Sequence, residues 1–331
     1  MINSYLRTLY DPDLFHGHGK NKNFFEGWFF KVVDRTGDHV YSIIPGIFLG
    51  KKRSASHSFI QVMNGKTGET FYHRYTRDEF TASREVFDVQ IATNRFMREK
   101  IIVDIANDEQ TVHGSLHFSN LSPWPVTFRA PGIMGWYSYI PFMECNHGVV
   151  SLDHTVEGSL CIGTSEIDFT GGKGYIEKDW GKSFPEAWIW IQSNHFDDPR
   201  TSLVASVAKI PWLMSSFRGF IIGFLHHGTL YRFATYTGAA ITNLELIDEY
   251  VSLTVEDKRH RLEIKTQRGK TGLLYSPHVT DMMERTAESL DAVTEVRLTA
   301  RGSDKKLYEG TGYHSGLDIN GKIEKIVDRF S

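Results

Sequence analysis

Apolar runs of strand length recur about every 8–12 residues along this 331-residue chain, most of them closed by Gly, Pro, Asn or Asp. That rhythm is the pattern of an all-β sandwich or barrel. Residues 28–33 are aromatic and β-branched and stop at Asp34-Arg35-Thr36-Gly37-Asp38, and residues 40–44 stop at Pro45-Gly46. Residues 57–63 end in Asn64-Gly65-Lys66-Thr67-Gly68, a hairpin turn by its Asn-Gly start. The series continues through 70–75, 86–91, 96–97, 100–105, 112–119, 149–154 and 158–162. In the second half strands are expected at 188–193, 203–208, 217–225, 229–236, 241–247, 250–255, 260–266 and 294–300, with 323–330 closing the chain. One short helix is expected in the C-terminal half, over 279–290. Ser276-Pro277 marks its start, and Val279, Met282, Met283, Thr286 and Leu290 fall on one side. Residues 121–141 interrupt the rhythm with four prolines and with Trp124, Trp136, Tyr137 and Tyr139, which suits an ordered excursion lining an interface.

The chain also echoes itself. Phe24-Phe25-Glu26-Gly27-Trp28-Phe29-Phe30 reads against Phe184-Pro185-Glu186-Ala187-Trp188-Ile189-Trp190, with an aromatic opening, a Glu two residues on and a Trp two after that. The offset is close to half the length, as a duplication would give. Two domains are therefore expected, 1–173 and 174–331, the boundary falling between Asp168 and Pro185. Strand parity puts Trp28 and Phe30 on one face and Lys31 on the other. Since Lys resists burial, the Trp28 face should point inward. By analogy Trp188, Trp190 and Gln192 should line the inside of the second half. An inward Gln192 needs partners, from neighbouring backbone or from a ligand.

Net charge is −3, which argues against a nucleic-acid binder, since that needs a basic face. Cys145 and Cys161 are too few for a disulfide framework and read as reduced thiols of a cytosolic protein. The first twenty residues lack the apolar core of a signal peptide. The longest apolar stretch, 203–225, is broken by Lys209, Pro211 and Arg218, so no transmembrane span is expected. A lipid-like substrate would have to be fetched in transient contact with a membrane, or delivered.

The densest stretch chemically is 174–192, GYIEKDWGKSFPEAWIWIQ. Glu177 and Asp179 share parity if it is extended, and Trp180 adjoins them. A carboxyl group in a dry aromatic cavity stays protonated more readily, and aromatic faces stabilise a cation; together these suit protonation of an alkene. The plain alternative is a solvated turn before a strand. Glu26 has the same ambiguity, since its carboxylate could simply hold a loop amide. The histidines give no metal site. Cys145, His147 and His154 lack a structural-zinc spacing, and His16, His18 and His57 cannot be assembled into a site. His226 and His227, adjacent on a strand, should point to opposite faces. No nucleophile elbow, P-loop or dinucleotide fingerprint stands out.

Residues 24–32, FFEGWFFKV, closely resemble the FFEGWYFKV segment of tocopherol cyclases, and 174–192 is similar to their second signature, with its Glu-Lys-Asp/Asn-Trp-Gly step and W-x-W-x-Q strand. Residues 131–136 and 143–145 resemble the bacterial members. The resemblance spans most of the chain. It implies two tandem lipocalin-like (calycin) antiparallel β-barrels or sandwiches, similar to those of carotenoid hydratases and some Diels–Alderases. It further implies a cofactor-free cyclase or isomerase that protonates an alkene of a prenylated quinol or other isoprenoid and closes a ring. Glu177 and Asp179 are the candidate acids by chemistry and position. Asp179 stands where plant members commonly carry Asn, which favours Glu177. Glu26, Trp28, Phe30, Trp136, Tyr137, Trp180, Trp188, Trp190 and Gln192 are the candidate substrate contacts, with no metal and no cofactor. A lipocalin-like carrier that holds a hydrophobic ligand without turning it over is the alternative.

Overall fold

The computed structural model describes residues 2–141, 143–212, 215–278, 280–303 and 305–330. Apart from one N-terminal helix, α1 (Ile2–Tyr10), and short 3₁₀ turns, the described elements are strands. They form two sheets, antiparallel but for one short parallel pairing at the C-terminus, so the all-β expectation holds.

The first sheet is built from β1 (Phe24–Val33), β2 (Val40–Leu49), β3 (His57–Asn64), β4 (Thr70–Thr76), β5 (Phe80–Ala82), β6 (Asp88–Ile91), β7 (Asn94–Met97), β8 (Lys100–Ala106), β9 (Thr111–Ser119), β10 (Cys145–Ile162), β11 (Ser165–Asp168) and β12 (Gly172–Gly181). Its order is β4-β3-β2-β1-β12-β10-β9-β8-β7-β6-β5. The second comprises β13 (Ala187–Ser193), β14 (His195–Phe196), β15 (Thr201–Trp212), β16 (Ser215–His226), β17 (Thr229–Ala234), β18 (Ala240–Ile247), β19 (Tyr250–Glu256), β20 (His260–Gln267), β21 (Thr271–Pro277), β22 (Met282–Ala300), β23 (Lys305–Gly321) and β24 (Arg329–Phe330). Its order is β17-β16-β15-β13-β23-β22-β20-β19-β18-β24.

The two orders correspond from β4 to β7 and from β17 to β18, and differ at the far end, where β24 comes from the C-terminus. Each sheet places its first strand between the next one along the chain and the last long one, β1 between β2 and β12, β13 between β15 and β23. Each sheet also curls around its own apolar cluster. Trp28, Phe30, Ile60, Val89, Leu116 and Ile176, from strands spread across the first sheet, share one cluster; Ile189, Leu203, Phe224, Leu253, Leu298 and Leu317 share the other. Burying such a side chain stabilises by roughly 1.5–3 kcal/mol each.

Several expectations need correction. The chain divides between Phe184 and Pro185, later than the expected 173/174, because β12 runs as a central strand of the first sheet. Residues Leu274–Glu284 belong to the first compact unit although they lie late in the chain, and Gly65–Gly68 belong to the second. The expected helix at 279–290 is strand from Met282 onward (Val279 lies outside the described residues). Its apolar spacing fits a half-buried strand as well, and pairing of β22 with β21 and β23 decides the matter. The closing segment is a 3₁₀ turn, Ile323–Lys325, before the two-residue β24. Lys31 is fully buried. Parity also fails in the second copy. Trp28 faces its core as expected, but in β13 the core side carries Ala187, Ile189 and Ile191, so Trp188, Trp190 and Gln192 are buried on the opposite face. The sequence match is one residue out of phase with the sheet, and one residue exchanges faces.

Candidate active site

Glu177 sits mid-strand in β12, one of the best-tied positions in the first unit, opposite Phe29 of β1 and Val149 of β10. Two-residue alternation divides this strand's chemistry between two faces. Ile176, Lys178 and Trp180 face the core side with Trp28. Tyr175, Glu177 and Asp179 lie on the other face, and the register brings His147 of β10 directly opposite Asp179.

On the core side Glu26 and Lys178 form a fully buried ion pair, Nζ to Oε1 2.5 Å. Lys178 also donates to the Leu14 carbonyl at 2.8 Å and lies 5.0 and 5.1 Å from the Trp28 and Trp180 ring centres. The His16 backbone N–H donates to Glu26 Oε2 at 2.8 Å, and the His16 ring stacks on Trp180 at 4.0 Å. Burial works against the Glu26 charge, but Lys178 and His16 outweigh it and hold the carboxyl below its usual range. Glu26 therefore clamps the 13–16 segment, the plainer of its two readings. Trp28 and Phe30 are core residues with no exposed surface.

The other face carries a four-residue cluster. Tyr175 donates its hydroxyl to Glu177 Oε2 at 2.5 Å. His147 Nε2 lies 3.5 Å from the same oxygen, while His147 Nδ1 is 2.9 Å from Asp179 Oδ1. Glu177 is 5% exposed, which rules out the solvated turn. Burial disfavours a charge on His147, yet Glu177 and then Asp179 overcome it and raise the imidazole to about 9. The cluster thus holds an imidazolium between two carboxyl groups near neutral pH. Burial first, then Asp179 and Glu144, pushes the Cys145 thiol well above its usual range, so it stays a neutral neighbour. The same face continues into an apolar patch of Phe25, Phe48, Phe59 and Met282, with Tyr72, Phe184 and Tyr275 packed against it. Tyr275 is anchored there by Gln61, whose amide exchanges two hydrogen bonds with the Tyr275 backbone, 2.8 and 2.9 Å.

The remaining candidates fall elsewhere. Trp136 and Tyr137 stack on each other at 4.2 Å in the 3₁₀ turn Gly135–Tyr139, and Trp136 is 43% exposed, so the 121–141 excursion leaves part of its aromatic surface uncovered. In the second unit Trp188 Nε1 donates to Asp318 Oδ2, and the Arg285 guanidinium lies 5.3 Å over the Trp188 ring. Trp190 is in register with Asp318, and Asp318 with Glu288 of β22. Gln192 is fully buried, and neither atom of its amide finds a hydrogen-bond partner, so the backbone-satisfied reading fails among the described residues. Two side-chain groups have the composition and spacing to hold a metal ion, His147–Glu177–Asp179 and Asp198–His226–His227. The sequence does not single out Tyr175, and His147 enters there only in a zinc spacing that fails. Tyr-x-Glu-x-Asp alternation could have flagged Tyr175, whereas only the β10–β12 register reveals His147.

The sequence model of the tocopherol cyclase-like family matches residues 102–321, two thirds of the chain. The chain belongs to the tocopherol cyclase-like family. A probable chloroplastic tocopherol cyclase of Oryza sativa subsp. japonica is 25% identical over 151 residues, 44% of this chain and 32% of that protein. The chloroplastic tocopherol cyclase of Zea mays is 27% identical over 142 residues, 42% of this chain and 30% of that protein. The matched stretch thus spans about a third of these curated relatives. In fold the chain is similar to CghA in its crystal structure with Sch210972, with TM-score 0.58, 10% identity and coverage of 90% of this chain and 88% of that one. CghA crystallised under its own name alone gives TM-score 0.55 at 10% identity over the same shares. This likeness makes the fold lipocalin-like.

Proposed function

We propose that this member of the tocopherol cyclase-like family is a cyclase that closes a ring on a prenylated quinol or related isoprenoid, with Glu177 as the proton donor. The observation that carries this reading is the partly buried Tyr175–Glu177–His147–Asp179 cluster beside an aromatic face.

Glu177 would take a proton from the His147 imidazolium, 3.5 Å away, and pass it to one alkene carbon, leaving a tertiary carbocation. The phenol oxygen adds to that carbon, and the phenol proton returns to the Glu177 carboxylate. A C–H and a C–O bond form as the C=C π bond and the O–H bond break, so the step is an isomerisation that needs no oxidant or reductant. The Tyr175 hydroxyl stabilises the Glu177 carboxylate left behind, and the phenol proton that returns to it restores the His147 imidazolium. Asp179 keeps His147 charged and oriented. Asp179 is then a positioning residue, and Glu177 the acid. Within the second unit Trp188, Trp190 and Gln192 stay candidate ligand contacts, and the Gln192 amide without a hydrogen-bond partner is what supports keeping them.

The test is conversion of a prenylated quinol to its chromanol by the purified protein, followed chromatographically, with ligand binding measured alongside. Glu177→Gln should lower turnover by about 10²-fold or more, in line with loss of a general acid, and leave affinity within a few-fold. Ligand binding without turnover by the unsubstituted protein, or full turnover by Glu177→Gln, would overturn the proposal.

A further inference from the structure

His226 and His227 lie on the hairpin joining β16 to β17, and alternation along a strand would send them to opposite faces. The backbone prevents this. His226 pairs with Thr229, so His227 and Gly228 form a two-residue turn, and both have positive φ, 47° and 79°. A primed turn of this kind suits the right-handed twist of the strands. The left-handed conformation at His227 brings its imidazole back beside that of His226, with ring centres 4.4 Å apart and edge to face.

The neighbouring ladder supplies a third group. Thr201, the first residue of β15, pairs with His226, and the His227 N–H donates to the Arg200 carbonyl at 3.1 Å, so the loop before β15 runs alongside the turn. Asp198 lies on that loop. Its Oδ1 accepts the Arg200 N–H at 3.0 Å, which fixes the carboxylate, and its Oδ2 meets His227 Nε2. Thr201 Oγ1 lies 3.0 Å from His226 Nδ1 and steadies that ring. One ligand atom from each of Asp198, His226 and His227 lies within 4.8 Å of the other two. A tetrahedral ion with bonds of about 2.0–2.1 Å needs ligand atoms about 3.3 Å apart, a separation that small side-chain rotations reach.

We propose that Asp198, His226 and His227 form a binding site for a divalent transition-metal ion in the second unit, with an open coordination position. Two imidazoles and one carboxylate suit borderline ions of the zinc type and do not suit magnesium or calcium, which take oxygen ligands. Thr201 and the Arg200 N–H supply the outer hydrogen bonds that such ligands ordinarily have. His227 also lines a cavity of about 690 Å³ with Asp198, Arg200, Lys306, Tyr308 and Glu309. A fourth ligand could enter from that cavity, whose lining sets Asp197, Asp198 and Glu309 against Arg200 and Lys306.

Calorimetric titration of chelator-treated protein with Zn²⁺ tests this, and Co²⁺ provides a visible absorption band as a second readout. One equivalent should bind, and Asp198→Ala and His226→Ala should each weaken binding at least tenfold. His147→Gln, which alters the other His–carboxylate group, should bind as the unsubstituted protein does. Circular dichroism checks that the variants fold, and the Co²⁺ spectrum of the unsubstituted protein reports imidazole ligation independently of them. Absence of binding, binding unchanged in both variants, or loss of binding in His147→Gln refutes the site.

Discussion

Glu26 and Glu186 hold the same place in two copies of one short motif, yet their surroundings give them different weight. Glu26 has no exposed side-chain surface and pairs with an equally buried Lys178. Glu186 is 41% exposed and is met by Lys209, Lys322 and Lys325 at the surface. Removing one partner of a buried pair strands the other, at a cost of about 3–5 kcal/mol, whereas solvent already screens a surface group. Glu26→Ala should therefore shift the urea midpoint strongly, and Glu186→Ala should leave it almost in place; equal shifts would contradict the clamp assigned to Glu26. His147 gives a second prediction at this scale. Its folded-state value, about 9, lies above the ordinary 6.5, so its charge adds stability that is fully present below about pH 6.5 and lost as pH rises through about 9. NMR titration of the imidazole should show it charged at pH 7.5, and turnover should fall as pH passes through about 9. A midpoint near 6.5 would remove the carboxylate pair from the account.

Among the elements, β12 and the late excursion 274–284 matter most. Alternation along β12 is what separates the clamp from the cluster, since neighbours 177 and 178 must face opposite ways. The excursion is held to the first unit by Gln61, which is 3% exposed and bonds twice to the Tyr275 backbone. Gln61→Leu leaves a buried N–H and carbonyl of Tyr275 without these partners, at a cost of about 1–3 kcal/mol each. The variant should be cut more readily by protease within 274–284, with the rest of the chain unaffected; unchanged cleavage would mean that other contacts hold the excursion.

For the molecule as a whole, the first unit is not contiguous in sequence, because it takes Leu274–Glu284 from beyond its boundary at Phe184. Residues 1–184 produced alone lack Tyr275 and Met282, which pack with Phe25, Phe48, Phe59 and Tyr72. Such a fragment should bind a hydrophobic dye that the full chain does not bind, and it should unfold at lower urea. A dye-silent fragment of undiminished stability would show the excursion to be dispensable. The strand rhythm, the twin motif and the β12 signature were enough to specify an all-β, lipocalin-like chain with Glu177 and Asp179 on one face, because turn residues and two-residue alternation act locally. Tertiary pairing decided what local pattern could not. It made 282–300 a strand where the spacing also fitted a helix, and it reversed the faces of Trp188 and Trp190 by a one-residue change of register. It buried Lys31, and it brought His147, some thirty residues away in sequence, between Glu177 and Asp179. Which carboxyl meets a lysine and which meets an imidazole depends on what the fold places beside it, and sequence spacing does not encode that.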